Sequence, residues 1–194
     1  MTLPASGAIS IGDIATEFGF AQTNISFSSL YRANGYTSGA VAANGVANLS
    51  SNFAIPQGGQ ISLDQFYSTS KGFIFVKTIS STTADYIIGS DAATSGWDSV
   101  SPIDATITLA SGIYIYGSST STAAMRDMAS SAAPTGSLFR IIVPSTSVIS
   151  GKGGNGGGGN GGTGGAGGPG LTVYTPNVLV DNLGTIAGGG GGVS

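Results

Sequence analysis

A glycine tract with a regular spacing is the feature that most restricts the fold of this chain. Residues 151–170 contain 14 glycines in 20 positions, and the other six residues recur every third position with one shift of two: Lys152, Asn155, Asn160, Thr163, Ala166 and Pro169. An extended helix with three residues per turn places every third side chain on one edge, which leaves glycine edges free to approach other backbones. The tract predicts a polyglycine-II-like helix containing Gly151, Gly154, Gly157, Gly162, Gly165 and Gly168.

A flexible linker and a collagen helix both fit the tract less well. Flexible linkers mix Gly with Ser and have no period, whereas no Ser occurs from residue 152 to residue 193. Collagen shares the period but needs far more proline than Pro169. Because a polyglycine-II-like helix has no internal hydrogen bonds, its backbone groups need neighbours. We expect three chains to supply them by packing their tracts side by side as a homotrimer.

The residues after the tract continue the glycine-rich segment. Short β-rich runs at 171–176 and 177–182 are followed by five glycines at 188–192. A strand, a glycine turn, a second strand and a glycine run are typical of one layer of a solenoid or an interleaved prism. Residues 151–194 are therefore predicted to be one extended segment.

Residues 71–150 have the pattern of a small β domain. β-rich runs occur at 72–79, 85–89, 105–109, 113–116 and 138–143, and a short helix is predicted at 121–128. Residues 110–112 have the length and the final Gly of a three-residue hairpin loop. We expect a small antiparallel sandwich or barrel, so the chain is predicted to be mainly β.

Residues 1–70 contain an internal repeat that predicts short helices. Residues 3–14 align with residues 55–66, and residues 25–31 match residues 61–67. Each copy has a serine that can cap a helix, and apolar residues one and four positions later fall on one helical face. The repeat predicts either a small packed domain or a docking module for another protein, with these motif residues: Ile9, Ser10, Ile11, Asp13, Ile14, Ile61, Ser62, Leu63, Gln65, Phe66 and Tyr67.

The composition excludes several classes of chemistry. The sequence has no His and no Cys, and only 8% of its residues are charged. Imidazole catalysis, thiol nucleophiles, disulfides and Cys/His metal sites are therefore excluded. The six cations are scattered, whereas a phosphate backbone is bound by clustered Lys and Arg. We expect no cofactor, no metal and no nucleic acid partner.

The apolar runs predict no membrane insertion. They are about half a dozen residues long, far shorter than a bilayer-spanning helix. The first residues have no basic and apolar signal-peptide pattern, so we expect synthesis in a cytoplasm. A surface with so few charges favours assembly into a larger particle.

Two stretches resemble proteins of bacteriophage tails. Residues 3–19 are similar to the amino-terminal module of many tailed-phage fibre and minor structural proteins, and residues 61–67 resemble the motif that closes that module. Residues 182–192 resemble the glycine-rich regions of long-tail-fibre adhesins, which pack such tracts as polyglycine II helices. The resemblance implies a virion protein of the tail or tail fibre, made in the host cytoplasm and bound to other tail or baseplate proteins.

The resemblance also implies recognition of a host receptor, either a glycan or an outer-membrane protein. Tyr114, Tyr116 and Tyr174 are the candidate receptor contacts, with a place in the core or in an interface as the alternative. A structural connector of the baseplate, collar or head fibre is the other function that fits. A glycan-degrading enzyme would need paired carboxylates, and Asp98 and Asp104 are not marked as such a pair, so no enzyme is expected. An ice-binding bundle would need several glycine tracts.

Overall fold

The computed structural model describes residues 3–32, 46–158 and 162–192. These residues form an amino-terminal module of short helices, which ends near residue 70, followed by a parallel β structure. Among them, no helix is long and apolar enough to cross a bilayer.

Serines stand directly before three of the helical segments described in the amino-terminal module. Helix α1 spans Ile11–Phe18, and 3₁₀ segments span Phe27–Leu30, Ser50–Asn52 and Leu63–Phe66. The Asp13 N–H donates to Ser10 Oγ at 3.2 Å, and the Ser10 N–H donates to Asp13 Oδ2 at 2.9 Å. At the repeat copy, the Ser62 N–H donates to Gln65 Oε1 at 2.8 Å. The helix starts predicted at Ser10 and Ser62 are confirmed.

The module packs these segments around one apolar cluster. Phe18 and Phe66 meet edge to face with ring centroids 6.0 Å apart, and both side chains are buried. Ile14, Leu30 and Ile55 belong to the same cluster. Helices of one or two turns are unstable alone, so this packing is what stabilises them.

The sequence repeat is also a repeat of contacts. The Tyr31 hydroxyl donates to the Gly59 carbonyl, and the Tyr67 hydroxyl donates to the Gly7 carbonyl. Gly7 and Gly59 occupy equivalent repeat positions and have φ values of +101° and +86°. Glycine adopts this left-handed backbone without the steric cost that a Cβ brings, so both turns require it.

Eleven strands are described after the module. They are β1 (Phe73–Ile79), β2 (Thr83–Ala84), β3 (Tyr86–Ile87), β4 (Ile103–Leu109), β5 (Tyr114–Tyr116), β6 (Met125–Arg126), β7 (Leu138–Val143), β8 (Val148–Ser150), β9 (Leu171–Thr172), β10 (Val178–Asn182) and β11 (Thr185–Ala187), with helix α2 (Ile88–Thr94) after β3.

The strands form three sheets that the chain visits in turn. The first sheet has the order β1-β4-β7-β10, the second β11-β8-β5-β2 and the third β3-β6-β9. All these strand pairs are parallel. The chain therefore winds through the three sheets in turn and forms a parallel coil. Each circuit of the coil adds a strand beside the strand that the previous circuit placed in the same sheet.

This arrangement corrects the predicted antiparallel domain. Residues 110–112 do not close a hairpin, because β4 lies in the first sheet and β5 in the second. They form a corner between two faces of the coil. The predicted helix at 121–128 is also wrong, since residues 125–126 form β6. Strands β9, β10 and β11 join the same three sheets as the strands before residue 150.

Stacked strands place similar side chains in rows inside the coil. Ala105 pairs with Phe75 on one side and with Phe139 on the other, and Phe139 pairs with Val178. Phe75, Ala105 and Phe139 are buried in the main apolar core. Rows of this kind explain why apolar residues alternate along β4 and β7.

Helix α2 covers the core at the first circuit. Ile88 and Ala92 of α2 are buried in the main core together with Trp97.

Asp91 of α2 has polar contacts with two strands. Lys77 of β1 pairs with Ile107 of β4, and the Lys77 Nζ lies 2.6 Å from Asp91 Oδ2. The Tyr86 hydroxyl also donates to Asp91; burial raises the pKa of Tyr86, and the hydrogen bond to the carboxylate raises it further.

Three glycine segments, numbered in chain order, lie beyond the second sheet. The first, residues 151–158, follows β8, and the third, residues 188–192, follows β11. These two segments run side by side. The Gly151 N–H donates to the Ala187 carbonyl at 2.9 Å, and the Gly154 N–H donates to the Gly190 carbonyl at 2.7 Å. The bonds recur every third residue, so these two segments extend the parallel pairing of β8 and β11.

The second glycine segment, residues 162–170, runs in the opposite direction and packs against both of them. Gly165 and Gly168 donate to the carbonyls of Asn155 and Lys152 at 2.8 and 2.7 Å. The carbonyls of the same Gly165 and Gly168 accept from Gly192 and Gly189 at 2.9 and 2.7 Å. Each segment therefore bonds to the other two. The expectation that a single tract cannot supply its own backbone partners is wrong, because all these bonds lie within one chain.

We predict that adjacent glycines of the third segment respond differently to alanine. A Cβ on Gly189 would overlap with the Lys152 carbonyl, whereas a Cβ on Gly190 would have no atom within 4 Å. Gly189→Ala should cost about 1–3 kcal/mol, the usual penalty of overpacking, and Gly190→Ala should stay within about 0.5 kcal/mol. Thermal unfolding should show a melting temperature several degrees lower for the first variant only. Equal stability of the two variants would contradict the close packing of the segments.

Candidate functional site

The outer face of the second sheet carries two of the candidate tyrosines. Tyr114 and Tyr116 flank the buried Ile115 on β5 and are 52% and 48% exposed. They lie two residues apart on one face of the strand, about 6.6 Å along it. Val148 and Ser150 are their partners on β8. Two phenol rings on a flat, rigid sheet can stack on an apolar ligand face while their hydroxyl groups donate or accept hydrogen bonds.

A turn at Asp85 holds the end of this strand. The Asp85 N–H donates to the Tyr116 carbonyl at 3.0 Å, and Asp85 Oδ1 accepts the Ser118 N–H at 3.0 Å. The Ser118 hydroxyl donates to the other carboxylate oxygen, and this hydrogen bond lowers the pKa of Asp85. The Asp85 carboxylate is therefore ionised at neutral pH and accepts both hydrogen bonds from Ser118, which fixes the backbone beside Tyr116.

Tyr174 lies elsewhere, in the loop after β9 of the third sheet. It is 39% exposed. The buried carboxylate of Asp127 accepts the N–H groups of Tyr174 and Thr175 at 2.8 and 2.7 Å. The structure therefore places Tyr174 apart from the Tyr114 and Tyr116 strand and anchors its backbone from inside the coil.

Most of the half-buried positions in the glycine segments recur every third residue. Gly151, Gly154 and Gly157 are half-buried in the first segment. In the second segment, positions 164, 167 and 170 are half-buried or buried, and Gly168 is buried as well. The exposed positions are Lys152, Asn155, Thr163, Ala166 and Pro169, while Asn160 lies outside the described residues.

The glycines of the second segment have different contacts. A Cβ on Gly164 or Gly167 would overlap with a carbonyl of the third segment. Gly165 and Gly168 instead carry the hydrogen bonds to the first segment, and Gly162 is exposed, with its N–H 3.3 Å from the Gly158 carbonyl.

The repeat motif residues belong to the apolar cluster, to the helix caps and turns, or, for Leu63, to the exposed surface. Ile14 and Phe66 are buried, and Ile9, Ile11 and Ile61 pack against the same cluster. Ser10, Asp13, Ser62 and Gln65 form the helix caps, and Tyr67 bonds to Gly7. Leu63 is 36% exposed.

Phe27 is an exposed apolar residue at the equivalent position of another repeat copy. It follows the capping Ser26 as Ile11 follows Ser10 and Leu63 follows Ser62. Its side chain is 48% exposed. The repeat alignment contains this signal, because an apolar residue stands after each capping serine. Packing in a core would produce the same pattern, so the sequence alone does not single out Phe27.

The acidic residues considered as a catalytic pair have structural hydrogen bonds. Asp98 Oδ1 accepts the N–H groups of Val100 and Ser101 at 2.9 and 2.8 Å. Asp104 is buried, and its Oδ2 accepts the Asn48 N–H at 2.7 Å. Within the described ranges, no group of three acidic, His or Cys side chains could hold a metal.

Comparison with known protein families gives one match. The family model described as phage tail fibre adhesin Gp38 matches residues 74–194, which is more than half of the chain. The match starts at β1 and therefore covers the parallel coil and all three glycine segments. No curated protein and no solved structure matches the chain.

We predict that Asp127→Asn loosens the loop that carries Tyr174. An amide has one oxygen, so one of the two N–H groups would lose its acceptor and face the new NH₂ group. An unsatisfied buried donor costs about 1–3 kcal/mol. Hydrogen exchange should show faster exchange of the Tyr174 and Thr175 amides, while the exposed control Asp64→Asn should leave them unchanged. Unaltered protection in Asp127→Asn would contradict the anchoring role.

Proposed function

Because this chain belongs to the phage tail fibre adhesin Gp38 family, we propose that its glycine-rich end binds the host receptor and its amino-terminal module attaches it to the virion. The family match over residues 74–194 carries the proposal, because the family is one of tail fibre adhesins. We propose a role in host attachment and no catalytic role. The family also implies a place in the tail of a virion.

The receptor-binding end is proposed to combine the glycine segments with the tyrosine face. The glycine segments extend from the ends of β8 and β11, and Gly117, directly after Tyr116, donates to the Ser150 carbonyl at 2.9 Å. Tyr114 and Tyr116 therefore lie at the base of the glycine layer. Apart from Lys152, the exposed side chains of the layer are small or short. A hydrogen-bonded layer of this kind beside two exposed rings gives a surface that binds without a large loss of conformational entropy.

The three glycine segments are proposed to be polyglycine II helices. Support comes from backbone hydrogen bonds that recur every third residue and from half-buried positions that, apart from the additional buried Gly168, have the same period. A homotrimer was expected because one tract lacked partners, and the intrachain bonds remove that reason. The homotrimer stays a prediction, which light scattering decides by giving either the mass of three chains or 18.9 kDa for one.

Attachment to other tail or baseplate proteins is proposed to use the exposed apolar residues of the amino-terminal module. Phe27 and Leu63 are 48% and 36% exposed at equivalent repeat positions, and Ile11 is half-buried at the third. Exposed apolar side chains of a folded module are more favourable when a partner covers them. The repeat would present one apolar contact from each copy.

We predict that the double variant Tyr114→Ala/Tyr116→Ala loses binding to host cells. Labelled full-length protein should bind sensitive cells, and the variant should bind at least about tenfold more weakly, which corresponds to about 1.4 kcal/mol. Val100→Ala, which changes an exposed residue away from this face, serves as the control. If the wild-type protein binds no sensitive cells although infection requires it, the structural connector is the correct function.

We predict that Phe27→Ser/Leu63→Ser keeps the protein off the virion. Both side chains are exposed, so circular dichroism should show a folded protein, while mass spectrometry of purified particles should find little of it. Val100→Ser is the matched control and should be incorporated normally. Incorporation of the double variant at the wild-type level would exclude this surface from attachment.

A further inference from the structure

A cavity lies between the amino-terminal module and the first sheet. Its volume is about 350 Å³, and Asn48 and Phe53 of the module face the starts of β7 and β10 across it. A second cavity of about 250 Å³ shares the lining residues Ser137, Pro176 and Asn177 with the first. The two hollows therefore adjoin, and together they are large enough for a small ligand.

The chemistry of the lining restricts the ligand. None of the residues that line either cavity is Asp, Glu, Lys or Arg. Two carboxamides, from Asn48 and Asn177, stand beside the Phe53 ring, the Leu138 side chain and Pro176. The nearest cation, the Arg32 guanidinium, is already engaged by the Phe53 ring, the Ile55 carbonyl and Asn48 Oδ1, so an ionised ligand would lose hydration here without a free charged partner. The lining suits an uncharged ligand with one apolar side and several hydrogen-bonding groups.

Phe53 is positioned for a ligand rather than for the core. Its side chain is 60% exposed, although burying a Phe contributes roughly 1.5–3 kcal/mol. The Arg32 guanidinium lies 4.7 Å from the ring centroid. Arg32 is itself fixed, since its Nε donates to the Ile55 carbonyl at 3.1 Å and its guanidinium donates to Asn48 Oδ1. The ring and the Asn48 amide are therefore held in one arrangement.

Hydrogen bonds also connect the cavity walls to the first sheet. The Asn48 N–H is bound by the buried carboxylate of Asp104 on β4, and the Ile103 N–H donates to Ser137 Oγ at 3.1 Å. The Phe139 N–H donates to the Asn177 carbonyl at 3.0 Å. Bonds to the first sheet thus set both walls before a ligand arrives, which lowers the entropy lost on binding.

We infer that this cavity is a second recognition site, which takes an uncharged saccharide unit. A pyranose has an apolar C–H face that stacks on an aromatic ring and a rim of hydroxyl groups that pair with carboxamides. The inference rests on the proposed host-attachment function and adds a ligand class and a location to it. The cavity is distinct from the Tyr114 and Tyr116 face, because it lies at the starts of the first-sheet strands.

Saturation-transfer NMR on the full-length protein tests the inference. The probes are methyl glycosides of neutral hexoses, 6-deoxyhexoses and N-acetylhexosamines. We expect at least one probe to bind, with a Kd of about 1 mM, which corresponds to about −4.1 kcal/mol. Phe53→Ala and Asn177→Ala should each weaken binding about tenfold, whereas Phe53→Tyr and the exposed control Val100→Ala should retain it.

Two results would overturn the inference. One is that no probe binds, and the other is that Phe53→Ala and Asn177→Ala, both folded by thermal unfolding, bind as the wild-type protein does. A binding signal from peptides of host surface proteins that is lost in Phe53→Ala, with no sugar binding, would assign the cavity to a protein ligand instead.

Cell binding separates this inference from the proposed function. Wild-type protein that binds sensitive cells while no sugar binds leaves the adhesin function standing and removes only the cavity site. Wild-type protein that binds a sugar but no cells keeps the cavity site and removes the proposed attachment function.

Discussion

Every part of the β structure depends on satisfying backbone hydrogen bonds between one circuit of the chain and the next. Buried N–H and C=O groups left without partners are costly, and parallel stacking in register supplies partners over most of the first sheet, from Phe73–Ile79 to Val178–Asn182. The glycine segments satisfy the same requirement with a different geometry. Their bonds recur every third residue, and the backbones approach so closely that a Cβ at Gly154, Gly167 or Gly189 would overlap with a carbonyl group.

Local sequence signals predicted local structure well. The capping serines Ser10 and Ser62 begin helices, and the mainly β character of the chain after residue 70 is confirmed. Strand pairing was wrong because it is not local. A short Gly-ended loop such as residues 110–112 fits a hairpin and a corner between two sheets equally well, and only the partner strands distinguish them. The helix predicted at 121–128 is wrong for the same reason, since pairing with β3 and β9 makes residues 125–126 a strand.

The candidate site could be predicted only in part. Exposure of Tyr114 and Tyr116 follows from their alternation with Ile115, a pattern visible in the sequence. The anchoring of Tyr174 could not be inferred, because Asp127 is 47 residues away along the chain. The cavity beside Phe53 was also beyond sequence reasoning, since its walls come from the amino-terminal module and from two strands of the coil. Contacts of this range depend on the whole path of the chain.

The spacing of three separates positions that packing restricts to glycine from positions that can carry a side chain. Positions such as Gly164 and Gly167 must remain glycine, because neighbouring backbones occupy the space of a side chain. Positions such as Asn155, Thr163 and Ala166 are exposed on the same segments. Substitution there changes the chemistry of the surface while the hydrogen bonds beneath it stay intact. A layer built from glycine can thus present different outer side chains on one hydrogen-bonded backbone, which is the property that the proposed receptor-binding end requires.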